Sequence, residues 1–130
     1  MNILTHPTQG AVTLPADLSW PDEFTWQQVQ QSTDYSTTGA LILDAFTKQA
    51  GRPITLEGSE THAWCSRGDL VTLRNWASQA GQTFALTLRG ATRNVVFNHE
   101  AGALDAQPIV DFSDPENTDN YAISIRFLEL

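Results

Sequence analysis

The residues that could do chemistry in this 130-residue chain are three histidines, one cysteine and a few groups of carboxylates. His6, His62 and His99 could in principle share a zinc ion, because imidazole nitrogen suits that metal. No two of them stand four residues apart, as a helical metal site would want, so scattered histidines are expected. Asp111, Asp114, Glu116 and Asp119 form an acidic run. A calcium loop sets oxygen ligands at alternate positions around a mid-loop glycine. Here Pro115 lies inside the run and no glycine does, which predicts a solvated loop over 111–120. Glu57 and Glu60 flank Gly58-Ser59. Acid and base carboxylates of a glycosidase must face each other across a cleft, and closeness in sequence does not supply that. Cys65 follows His62 by three residues in a loop-like segment, and Trp64 beside it points to burial, so a structural thiol is expected. There is no Gly-x-Ser-x-Gly elbow and no glycine-rich phosphate loop. The expectation is a non-enzymatic protein with no catalytic, metal or cofactor-binding residues.

The elements that would position these residues are mostly strands. Ile3-Leu4 and Ala11–Leu14 are short apolar strands, punctuated by Pro15 and Pro21. Trp20, Phe24 and Trp26 then fall within seven residues, either as core anchors or as a patch for a partner. Residues 26–36 are glutamine-rich and suit a strand facing water or another polar surface. With the aromatics, Gln28 and Gln30 are the candidate oligomer or partner interface. Residues 40–49 read as strand or short helix. The strand is favoured, since polar residues intrude at two-residue spacing and a hairpin fits. Gly51-Arg52-Pro53 predicts a turn, Ile54–Leu56 a strand, and Ala63–Cys65 a short extended piece.

The clearest element is an amphipathic helix over Gly68–Ala80. Leu70, Leu73, Trp76, Ala77 and Ala80 make one apolar stripe, Ser66 or Asp69 can cap the start, and Gly81 suits a left-handed stop. The helix should lie on a sheet through Leu73 and Trp76. Strict alternation follows, with Phe84, Leu86 and Leu88 on one face, then a turn at Arg89–Thr92 and a returning strand to Asn98. Leu70, Leu73, Trp76, Phe84, Leu86 and Leu88 are the candidate core. A further extended piece is expected around Ile109-Val110, and a last strand over Tyr121–Leu130. The fold class is mainly β (α+β), a single domain over 1–130 with one helix packed on a sheet and a β-hairpin after it.

Composition excludes several function classes. Net charge is −8, and the seven Lys and Arg residues are scattered along the sequence. Phosphate binding needs clustered cations, so neither nucleic acid nor an anionic membrane surface is an expected partner. The charged fraction of 17% is low, against about 25% in ordinary soluble domains. Threonine, glutamine, asparagine and serine fill the gap, as suits strands with one solvated face or surface that becomes interface. No secretory signal or membrane-spanning run is visible, so synthesis and folding in the cytoplasm are expected.

One family resemblance is carried by the order of motifs. The run Gln31–Leu43 leads to Gly51-Arg52-Pro53-Ile54-Thr55-Leu56-Glu57-Gly58. Ala63-Trp64, the helix, the hairpin Thr83–Phe97 and Ala106-Gln107-Pro108-Ile109 follow. Over residues 26–110 this resembles the N-terminal domain of distal tail proteins, small tail-tip (baseplate) proteins of long-tailed bacteriophages. The resemblance implies a β-sandwich-like domain and a virion structural protein located at the tail tip. It implies a homo-oligomeric ring, a hexamer in family terms, between tail tube and central hub. The implied partners are further copies of itself, the major tail tube protein, and the tail hub and tape-measure proteins. Since the chain ends at Leu130, the receptor-binding module that often follows in the family is not expected. A tail-terminator or other minor tail protein is the nearest alternative. A carbohydrate- or peptide-binding β module using Trp20, Phe24, Trp26 and Trp64 is the alternative of another class.

Overall fold

The computed structural model describes residues 2–110 and 113–130. Ten strands, one α-helix and a single 3-10 turn are formed by them. Eight strands make one curled sheet and two make a separate ribbon. The protein is mainly β, with the helix packed on the curled sheet.

The chain opens with a hairpin, β1 (Asn2–His6) and β2 (Gly10–Leu14). The ribbon follows as β3 (Val29–Tyr35) and β4 (Leu41–Thr47), so residues 40–49 hold a strand, as their alternation favours. β5 (Arg52–Glu57) starts at Arg52, inside the segment expected to be a turn. β6 (Trp64–Ser66) runs straight into α1 (Arg67–Ala77). β7 (Phe84–Leu88) and β8 (Ala91–Phe97) form the expected hairpin. Its turn is tighter than expected, because Arg89 and Gly90 alone make it, both at positive φ (51° and 79°). That is the geometry of a two-residue type I′ connection, whose twist matches the strands. β9 (Leu104–Pro108) precedes the extended piece expected at Ile109-Val110, which is not in a strand. β10 (Asn120–Glu129) ends the sheet.

β10 is the organising strand. One of its edges pairs with β5 and then β6, the other with β8 and then β9. Both neighbours break where a loop leaves the sheet. At the β5–β6 break the Gly58 amide donates to the Ile123 carbonyl at 2.7 Å. A Cβ on Gly58 would stand 2.7 Å from the Ala63 carbonyl oxygen, so only glycine fits. From β8 the sheet continues through β7 and β1 to β2. The chain then crosses to the opposite edge. Ser19 and Glu57 exchange backbone hydrogen bonds (2.8 and 2.9 Å), and the Asp22 carboxylate accepts the Thr55 amide at 3.0 Å. The outer edge of β5 is thereby covered, which removes an aggregation-prone template.

The inward faces of β1, β2, β5, β7, β8 and β10 meet in one core with Leu73 and Trp76 of α1. Phe84, Leu86 and Leu88 are buried, as are Ile123, Ile125 and Phe127, so the period-two reading of both strands holds. Leu70 and Ala77 are partly buried against this core. The helix is shorter than its apolar stripe. It stops at Ala77, Ala80 is exposed, and Gly81 (φ 73°) turns the chain three residues past the Ser78 cap. Ser66 stands at the N-cap but its hydroxyl makes no capping bond. The first helical amides instead donate to carbonyls of the 113–119 loop, Arg67 to Asp119 (2.9 Å) and Gly68 to Asn117 (3.0 Å). These bonds satisfy orphan amides that a side chain would otherwise take.

Candidate functional site

The chemistry-bearing residues are held apart. His6 is buried, and its Nδ1 accepts the Thr8 and Gln9 amides at 3.1 Å each. That places the proton on Nε2, which donates to Gln79 Oε1 at 2.9 Å. His6 therefore closes the β1–β2 turn and ties it to the end of the helix. The Ser59 hydroxyl lies 2.7 Å from His62 Nδ1, but the Thr61 amide also donates to it (3.2 Å), which makes a local turn staple. No carboxylate is bonded to His62 among the described residues, so the base lacks the third group that would orient it. His99 is exposed on the 3-10 turn.

Cys65 is buried, and burial, with the Asp69 charge second, pushes its thiol up to about 11. A protonated thiol is a poor nucleophile. Trp64, beside it, is 45% exposed rather than buried, because β6 is short and only its middle residue points inward. Among the described residues, no three His, Cys, Asp or Glu side chains converge as metal ligands would. Asp111 of the acidic run lies outside the described residues. Asp119 uses Oδ2 to accept the Glu116 amide at 2.8 Å. Glu57 is engaged through its backbone with Ser19, and Glu60 is exposed.

The candidate interface residues divide into two environments. Trp20, offered by the sequence as interface, belongs to the core at 7% exposure. It packs under three guanidinium groups, those of Arg52, Arg89 and Arg93, at 5.1–5.3 Å from its ring. Phe24 is 82% exposed, Trp26 is half-buried under the Lys48 ammonium (5.1 Å), and Gln28 and Gln30 are exposed. These residues lead into the β3–β4 ribbon, which stands out as an arm.

Every residue of both arm strands is exposed. The register pairs Val29 with Thr47 and Tyr35 with Leu41, so directly opposed residues share a face. One face carries Val29, Tyr35, Leu41, Leu43 and Ala45 together with Gln31, Thr33 and Thr47, and no charge at all. The other carries Asp34 and Asp44 between Gln30, Ser32, Ile42 and Phe46. The tip is tied by the Ser36 amide donating to the Ala40 carbonyl (2.8 Å) and by Gly39, at φ 84°, donating to the Ser36 carbonyl (3.0 Å). The sequence identified the start of this arm through Gln28 and Gln30. It missed Leu41 and Leu43, because alternating apolar residues ordinarily signal a half-buried strand, and it missed Tyr35 and Phe46, which stand outside that alternation.

Among the described residues, no helix is long and apolar enough to cross a membrane. No protein-family model matches the chain, and no curated protein matches it either.

Proposed function

We propose that this protein is a structural subunit that assembles with copies of itself through the β3–β4 arm, as a ring at the tip of a bacteriophage tail. The observation that carries the self-assembly reading is the arm itself. A two-stranded ribbon in water is marginal at best, and it needs a further strand or a packed face to be stable. Here one face displays Tyr35, Leu41 and Leu43, each at least half exposed, without a charged residue among them. Exposed contiguous apolar surface of this kind marks an interaction site. Where each arm seats on the body of the next copy without reciprocal exchange, the contact is heterologous, and a heterologous contact that closes makes a ring.

The placement in a tail tip, between tube and hub, draws on the likeness to distal tail proteins. The net charge of −8 supports it, since phosphates are repelled from an acidic lumen through which DNA must pass. The sugar- or peptide-binding alternative finds less support. Trp20 is in the core, and Trp26 and Trp64 line separate cavities rather than one groove. Light scattering coupled to size exclusion, with negative-stain imaging, tests the proposal. A ring of several copies is the expected result. A strict monomer at every concentration reached would sink it.

A further inference from the structure

The fold gathers cations that the sequence scatters. Arg52, Arg89 and Arg93 surround Trp20, and Lys48 covers Trp26. The two groups are contiguous. Arg52 lines a cavity of about 240 Å³ at the root of the arm with Trp26, Gln28, Lys48 and Glu129, and Glu129 also faces Arg93 at 3.9 Å. Glu23 pairs with Arg89. Four cations thus meet three carboxylates, Glu23, Glu129 and Asp22, the last already accepting the Thr55 amide at 3.0 Å, which leaves a small local excess of cations in a chain of net charge −8. Two donors there have unmet capacity. Arg52 Nε is buried without an acceptor. Lys48 bonds the Gln27 carbonyl at 3.1 Å but has no carboxylate partner among the described residues.

The matching group is on the arm. Asp34 and Asp44 share its charged face, and neither forms an ion pair among the described residues. The arm cannot satisfy its own root. Asp34 lies six residues beyond Gln28 along an extended strand, about 20 Å away at ~3.3 Å per residue, and Asp44, about 13 Å from Lys48 by the same rise, forms no ion pair with it. We infer that the tryptophan-floored basic surface at the root of the arm receives the acidic face of the arm of a second copy. This inference rests on the self-assembly reading and names its receiving surface. Complementary charge then sets which patch each arm finds, while Ile42 and Phe46, exposed on that same acidic face, supply apolar burial.

The test is charge reversal read by analytical ultracentrifugation on the full chain. Asp34→Lys with Asp44→Lys should weaken assembly at least ~10-fold. Lys48→Glu with Gln49→Glu, both at the root and outside the core, should do the same. All four substitutions in one chain should restore assembly, because the opposed signs are exchanged. Assembly should also weaken as salt rises from roughly 0.1 to 1 M. If the reversed chains assemble like the wild type while Leu43→Asp abolishes assembly, the receiving surface is elsewhere and self-assembly through the arm stands. If neither pair matters and the wild type is monomeric, both readings fall.

Discussion

Replacing Trp76 with alanine probes the contact that joins helix to sheet. The indole is 2% exposed. It stacks on Phe84 (5.8 Å between centroids, 28° between planes) and lies 5.4 Å from the His6 ring. Truncation removes one of the two tryptophans of the core and leaves a cavity, because β1 and β7 are fixed by their ladders and cannot collapse into it. Buried Trp→Ala substitutions cost about 3–5 kcal/mol, from lost transfer and unfilled volume together. For a domain of this size that corresponds to a fall in Tm of about 10–20 °C. Far-UV circular dichroism on heating measures it. A double-mutant cycle with Phe84→Leu should show coupling of about 0.5–1.5 kcal/mol, as for aromatic neighbours in contact. A Tm within about 3 °C of the wild type would refute the reasoning, since the helix would then be held on the sheet by something other than this ring.

Gly58→Ala should cost about 1–3 kcal/mol, because its Cβ meets the Ala63 carbonyl oxygen at 2.7 Å and both partners are backbone-anchored; urea unfolding reads this directly. Leu43→Asp should abolish assembly by light scattering while moving monomer stability by no more than about 0.5 kcal/mol, since Leu43 is half exposed in the monomer. Cys65 should react with a thiol reagent at pH 8 many times more slowly than in denaturant. Its folded value of about 11 stands above the ordinary 9.0. Between those two values the unfolded chain loses the proton that the folded chain keeps, so stability falls as pH rises through this window. Cys65→Ala should flatten that part of the pH–stability curve, and an unchanged slope would contradict the burial argument.

Period determined what the sequence could show. Leu73 and Trp76 at helical spacing, and Phe84, Leu86, Leu88, Ile123, Ile125 and Phe127 at strand spacing, identify the inward faces without reference to any partner. Each follows from local geometry meeting one core. Ends were less legible. Nothing in the Leu70–Ala80 stripe says that the helix stops at Ala77, where the chain turns toward β7, and nothing near Ser66 says that carbonyls of a loop some fifty residues away cap its start. Tertiary structure alone decided the environment of the alternating segments. Leu41–Thr47 alternates like a half-buried strand, yet among the described residues no second sheet covers it, while its glutamine-rich partner Val29–Tyr35 faces water as its composition suggests. Trp20 and Phe24 could each be core anchor or partner patch by sequence, and only the fold separates them, with Trp20 under arginines from β5, β8 and the β7–β8 turn and Phe24 in solvent. Alternation encodes a face; whether that face meets the protein's own core or another molecule depends on long-range pairing, which no local pattern contains.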